Sequence, residues 1–333
     1  RALALGEPSP LAPARPYRVY LEWLASRDVR AAEEYWRQRL AGFEGPAPLG
    51  LPVAGGTGMG ESVAWLSTEH WSALQEQARR HRLTASTLVQ GAWALLCARY
   101  ARDPDVVFGL TVSGRPGELA GVEDMVGLFI NTLPMRVRVD ESQELAGWLT
   151  RIQAELMEAQ GHAHLPLPTL QRLRGEERGR ALFESLLTFE NYPTGELAQD
   201  SAPPSSPLPV LVGAEVQERT HYPLTLLCLP GARLELRLSY DRSLFEAEAM
   251  ERLVGQLVVL LRQMETLLER PQARLRELRH LSEQEERRVL REWSGVGGRL
   301  PARGCLHTLV EAQVDRTPEA IALVAGTRRL SYR

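Results

Sequence analysis

Residues 111–139, with the apolar run that feeds them, constrain the fold of this chain more than any other stretch. The apolar run from Val106 to Val112 is too continuous for a strand with one wet face and reads as a strand buried on both. From Ile130 to Val139 the pattern changes: Leu133, Met135, Val137 and Val139 alternate with Pro134, Arg136 and Arg138, as in a strand with one covered face. Between the two strands lie Gly114, Gly117, Gly121 and Gly127, which permit tight backbone. A core needs no such irregular connection, so this loop is expected to line something.

The rest of the chain alternates helix and strand around that segment. Residues 1–16 are rich in Pro and Ala and read as linker. Tyr17, Tyr20, Leu21 and Leu24 recur at helical spacing. Asp28 is placed to cap a second helix, on which Ala32, Tyr35, Trp36 and Leu40 share a face. After a Pro/Gly loop over 43–60, Glu61 to Leu66 reads as a strand. Thr68 then opens a helix that runs to Leu83 and buries Trp71, Leu74 and Ala78. Thr84 or Ser86 opens the next, with Leu88, Ala92, Leu95 and Leu96, stopped by Asp103-Pro104. Beyond the central loop, a helix is expected from about Ser142 to Gln160, closed by Gly161. Strands are expected over Leu182–Tyr192, Val210–Thr220, Leu224–Leu229 and Arg233–Asp241, with a polar, Pro-rich surface loop at 194–209. A long helix from Glu246 to Leu268 follows. The expected class is α/β, more narrowly an α+β two-layer arrangement with a sheet covered by helices on one side.

Composition narrows the function classes. The 333 residues suggest two domains, or one large domain with extensions. A net charge of −3 implies neither a nucleic-acid nor an anionic-membrane partner. All 39 basic residues are Arg, which fits a GC-rich coding sequence and carries no functional inference. The three cysteines, Cys97, Cys228 and Cys305, form no CxxC pair, which argues against disulfide scaffolding and thiolate metal sites. Cys97 and Cys228 sit in apolar runs and read as core. No apolar stretch is long enough to span a bilayer, no secretory signal is apparent, and a cytoplasmic protein is expected. The sequence begins without Met and stops at LSYR, as a piece of something longer would.

The run SGRP at 113–116, followed by GVEDMVGLFINTLP at 121–134, resembles the condensation domain of nonribosomal peptide synthetases. The resemblance covers about residues 17–270 and implies the C-terminal lobe of a chloramphenicol-acetyltransferase-like fold. On that basis residues 1–55 would hold the inter-lobe connection and entry helices, 56–270 the lobe, and 271–305 a linker in which Ser282 and Glu285 form a capping-box pattern. Residues 306–333 resemble the beginning of an adenylation domain, ending in the Leu-Ser/Thr-Tyr motif at Leu330, Ser331 and Tyr332. Two departures stand out. Val19 occupies a position where relatives often carry Asp, and His164-Leu165-Pro166-Leu167 stands where they often carry Gln-Asp-x-Pro-Phe, which leaves the donor-stereochemistry subtype open.

The resemblance implies amide-bond formation between two aminoacyl or peptidyl thioesters. Both would be held on the 4′-phosphopantetheine arms of donor and acceptor carrier proteins; no cofactor is expected on this chain itself. The expected partners are those carriers, the N-terminal lobe and the adjacent adenylation domain. The family's catalytic signature is His-His-x-x-x-Asp-Gly. The seven histidines are His70, His81, His162, His164, His221, His280 and His307; none are adjacent and none begins that pattern. No catalytic residue is therefore assigned here: the catalytic His is expected in a missing N-terminal lobe, and this segment alone is expected to be inactive. His162 and His164, spaced i, i+2 with no third ligand nearby in sequence, read as ordinary loop histidines. Three residues are singled out as supports. Arg115 either holds the Asp of the absent signature or faces solvent. Asn131 either holds backbone or a pantetheine amide, or caps a loop. Gly127 serves the backbone turn. Asn191 and Tyr192 are weaker candidates for the substrate channel. Rival readings are a heterocyclisation domain, an epimerisation domain, a free-standing coenzyme A acetyltransferase and a non-catalytic carrier-docking platform. The adenylation-like tail disfavours the epimerisation and acetyltransferase readings.

Overall fold

The computed structural model describes residues 14–173, 181–190, 220–294 and 305–333. The chain divides into two compact units, Arg1–His280 and Leu281–Arg333.

The first unit is a mixed sheet with helices packed on it. Its strands are β1 (Met59–Leu66), β2 (Asp105–Val112), β3 (Asn131–Arg138), β4 (Ser185–Phe189), β5 (Leu224–Pro230) and β6 (Leu234–Asp241), in spatial order β1-β6-β5-β4-β2-β3. β4 runs parallel to β2 and β5; the other neighbours are antiparallel. The helices are α1 (Arg18–Ala25), α2 (Val29–Arg39), α3 (Thr68–Arg80), α4 (Ala85–Ala101), α5 (Leu145–Gly161), α6 (Leu167–Leu173) and α7 (Ala247–Leu267). α7 lies on β1 and β6, α4 on β2, and α5 on β3 and α4. This is the expected α/β, two-layer architecture.

Sequence pattern explains most of these elements. Along β6, Leu234, Leu236, Leu238 and Tyr240 are buried while the residues between them are partly exposed, the period-two signature of a strand with one wet face. β2 is buried along nearly its whole length, as its continuous apolar run requires. α4 is buried from Thr87 to Ala98 on every side, because α3, α5 and α7 surround it. Cys97 and Cys228 are both buried, Cys228 completely, as their apolar surroundings in sequence imply.

Several boundaries differ from the expected ones, each for a local reason. Ser67, not Thr68, caps α3 by accepting from the His70 N–H. α5 begins at Leu145 because Glu144 is tied to Arg274 as an isolated antiparallel bridge, and Gly161 is its last helical residue, not its stop. The strand expected from Leu182 begins only at Ser185: Leu182 and Phe183 are buried as loop, with the Phe183 ring in the space above Gly109. α6 has no counterpart in the sequence pattern. The expected strand at 210–220 lies almost wholly outside the described residues, as do Asn191 and Tyr192. Ala273, Leu275 and Leu278 are buried within the first unit.

The second unit holds α8 (Glu283–Arg287), α9 (Leu306–Arg316) and a hairpin of β7 (Ile321–Ala325) and β8 (Arg328–Ser331). Ser282 and Glu285 form the expected capping box: Ser282 Oγ accepts from the Glu285 N–H, and Glu285 Oε2 accepts from the Ser282 N–H.

Candidate functional site

β2 and β3 pair along their full length, from Asp105 opposite Arg138 to Val112 opposite Asn131. The residues between them, 113–130, therefore leave and re-enter one edge of the sheet as a closed loop. Its exit is possible only with glycine. Gly114 has φ +62°, and a Cβ there would lie 1.8 Å from the Phe129 carbonyl oxygen. The two ends of the loop touch at that point.

Arg115 holds the loop from inside. Its guanidinium donates to the carbonyls of Val122 and Met125, the latter from both terminal nitrogens at 3.2 Å, and stacks over the Phe129 ring at 4.1 Å. Hydrogen bonds from a cation are each worth about 1.5–3 kcal/mol, and the ring contact adds about 0.5–2 kcal/mol. Among the described residues, Arg115 is thus spent on its own loop.

A small second core fills the space under the loop. Tyr20, Val122, Met125 and Phe129 are buried together, with Tyr17, Val19, Trp23, Leu24 and Leu119 packed around them. Tyr17 meets Phe129 edge-on with ring centroids 5.1 Å apart and donates its hydroxyl to the Leu128 carbonyl. This contact adds to the turn reading of Gly127, which lies in a bend. Its backbone is not left-handed; glycine is needed because the Tyr17 ring lies 2.1 Å from where a Cβ would stand. The sequence placed Tyr17 and Tyr20 on a packing helix but gave no sign that their partner is the loop.

Asn131 ties the far end of the loop down. Its Nδ2 donates to the carbonyls of Ala163 at 2.6 Å and Leu165 at 3.1 Å, and its Oδ1 accepts from the Thr132 N–H at 2.8 Å. Both amide protons are used, so Asn131 holds backbone and has no donor left for a ligand.

These elements enclose a cleft of about 310 Å³ between α1, residues 112–118 and the end of α5. Tyr20, Trp23, Arg27, Arg115, Gln160 and His164 line it. Arg27 reaches Glu118 across it at 3.3 Å and lies over the Trp23 ring at 4.8 Å. His164 turns its Nε2 toward the Asp28 carbonyl at 3.4 Å, and burial, the main cause, holds its pKa below the ordinary value. His162 stacks on Tyr35 at 4.2 Å, and its carbonyl accepts from the Trp36 indole. Both behave as loop histidines. No group of three His, Cys, Asp or Glu able to hold a metal occurs among the described residues.

On the outer side of the same loop the side chains point away. Val126, Leu128 and Ile130 are 85%, 74% and 56% exposed, while Phe129 between them is 5% exposed. The segment alternates like a strand with an uncovered apolar face.

The family model described as Condensation domain matches residues 1–290. The chain belongs to the condensation-domain family. One linear gramicidin synthase protein of Brevibacillus parabrevis is 40% identical over 324 residues, covering 96% of this chain and 4% of that far longer protein. Among solved structures, a four-domain nonribosomal peptide synthetase bound to AMP and glycine matches with a TM-score of 0.67 at 20% identity, over 92% of this chain and 24% of that one. The X-domain from teicoplanin biosynthesis, in a structure of its complex with OxyB, matches with a TM-score of 0.64 at 22% identity, over 85% and 64% of the two chains. At these identities the structures speak for the condensation-domain fold. No described helix is long and apolar enough to cross a membrane.

Proposed function

We propose that this chain is the C-terminal lobe of a condensation domain in a nonribosomal peptide synthetase, with the linker and the start of an adenylation domain behind it. The parent protein joins an acyl or peptidyl thioester to the amine of a second thioester, both on the 4′-phosphopantetheine arms of carrier proteins. One observation carries this reading. The loop 113–130 is pinned from inside by Arg115, Tyr17 and Asn131, yet it turns Val126, Leu128 and Ile130 outward. A loop so firmly held has no reason to expose three large apolar residues unless another lobe covers them.

The His-His-x-x-x-Asp-Gly signature occurs nowhere in the sequence. The segment alone is therefore inactive, and the catalytic His belongs to the covering lobe. What this chain supplies is one wall of the reaction chamber. Orienting two tethered reactants supplies much of the rate of such a step. The cleft beside Arg115 suits a pantetheine arm, whose amides would meet Ser113, Gln160 and the loop backbone. The capture of the signature's Asp by Arg115 is a smaller part of this reading, because the guanidinium already serves three loop groups. On this reading the parent protein is cytoplasmic and works with donor and acceptor carriers and its own adenylation domain.

The test restores the upstream lobe and measures dipeptidyl-thioester formation between two loaded carriers. Turnover by the intact protein, none by residues 1–333, and a reduced rate with Arg115→Ala is the expected result. A second reading, a non-catalytic docking platform, is favoured by the likeness to the X-domain, which is seen in complex with OxyB. Carrier binding without turnover by the intact protein would select it.

A further inference from the structure

A second cavity lies away from the loop, in the trough between α2 and α5 above the edge strand β3. Its volume is about 560 Å³, within the range that encloses small ligands. α2 contributes Tyr35, Gln38 and Arg39, spaced i, i+3, i+4; α5 contributes Trp148, Arg151, Ile152, Glu155 and Glu158 along one face; β3 supplies Arg136 and Arg138.

Two of the charged pairs in it are internally satisfied. Arg136 grips both oxygens of Asp105, at 2.9 and 2.6 Å, and donates to the carbonyls of Arg39 and Ala41. Arg39 pairs with Glu155 and donates to the Arg136 carbonyl. The remaining charges are separated along the trough. Among the described residues Arg138 has one ion-pair contact, a long one of 3.7 Å to the Asp105 already held by Arg136, and Arg151 donates to the neutral Gln143 side chain with the Asp140 carboxylate within electrostatic reach. Glu158 stands at the other end, two turns further along α5. Seven residues of helix put Arg151 and Glu158 roughly 10 Å apart along the axis.

The free edge of β3 is closed to strand addition here. The Arg136 carbonyl accepts from Arg39 and the Arg138 carbonyl from the Trp148 indole. The groups left to meet a ligand are the charged side chains at the two ends of the trough. Three extended residues span roughly 10 Å, so a tripeptide with free termini matches the charge separation.

We propose that this trough binds the two termini of a short zwitterionic peptide, its carboxylate on Arg138 and Arg151 and its ammonium on Glu158. Arg138 and Arg151 line the same trough, and a guanidinium recognises a carboxylate by strong, directional hydrogen bonds. The site is distinct from the loop cleft and independent of the condensation reading.

The test uses the full 333-residue chain and titrates it with triglycine, N-acetyl-triglycine, triglycine amide and the doubly capped peptide. Saturable binding of triglycine is expected, weakened at least tenfold by either cap. Arg138→Gln with Arg151→Gln should abolish the discrimination against triglycine amide while leaving that against N-acetyl-triglycine, and Glu158→Gln should do the reverse. All three side chains are solvent-exposed, so the fold should survive, which thermal unfolding checks. Equal binding of all four peptides, absence of saturable binding at millimolar concentration, or unchanged selectivity in the folded variants would overturn the proposal.

Discussion

Leu95 and Phe129 are both buried, but in cores built by different means. Leu95 lies in the large core, among apolar side chains from α3, α4, α5, α7 and the sheet. Phe129 lies in the small core under the loop, where few apolar residues meet and a guanidinium and a phenol complete the packing, while the Asn131 amide ties down the end of the loop beside it. The large core is held by area removed from water, which is non-directional and tolerant of sequence change. The small core is held by a few directional contacts, each with one geometry. A loop fixed in this way can keep a defined shape while presenting an apolar face outward.

Substitutions should separate the two regimes. The largest effect is expected for Leu95→Ala, fully buried, which should cost about 2–5 kcal/mol in urea unfolding. A comparable loss from Met125→Ala, in the small core, would break the distinction. Gly114→Ala combines a left-handed backbone with a clash against the Phe129 carbonyl, and should destabilise the loop by about 2–3 kcal/mol. The increase should appear as faster hydrogen exchange over 115–129, with β2 and β6 unchanged.

High pH should act on the large core. Burial pushes the Cys97 thiol up to about 12, well above the ordinary thiol value. The folded state therefore holds this proton more tightly. The resulting stability is complete below the unfolded pKa of about 8.5 and is lost as pH rises toward 12. Unfolding at about pH 8 and about pH 10.5 should differ by about 2 kcal/mol from this group; burial raises the Cys228 thiol as well, so Cys97→Ala should remove about half of the thiol-linked pH dependence and Cys97→Ala with Cys228→Ala the rest. Arg115→Ala should loosen the loop by about 1–3 kcal/mol with little change in global stability, and Arg115→Lys should not restore it, because an ammonium lacks the planar fork that spans the Val122 and Met125 carbonyls. The smallest effect is expected for Leu128→Ser: 74% exposed, it should change the stability of this chain by less than about 0.5 kcal/mol. If the upstream lobe covers this face, the same change should weaken lobe association.

The strands β2 and β6, the stripe of α3 and the capping of α2 by Asp28 were legible because each rests on contacts within a few residues, or on a period that burial imposes. The boundaries of β4 and α5 were not. They depend on Phe183 filling the space above Gly109 and on Arg274 reaching Glu144, contacts remote in sequence. At the site, the Gly-rich loop was apparent from residue type, and Arg115, Asn131 and Gly127 were singled out by resemblance and residue type. Their partners were not: Arg115 meets its own loop, Asn131 the turn after α5, and Gly127 the Tyr17 ring.

The sequence by itself determined the helical and extended segments, the buried cysteines, the absence of the catalytic His pair, and the family to which the chain belongs. Tertiary structure alone decided which strands are neighbours, that the Tyr17 ring closes over Gly127, that Asn131 has no proton left to donate, and that Arg136, Arg138, Arg151 and Glu158 line one trough. The physical reason is range. Burial patterns and caps are encoded by residues a turn or a pleat apart, whereas a hydrogen bond between Asn131 and Ala163, or the Tyr17 ring resting on distant Gly127, exists only once the sheet and its helices have closed around them.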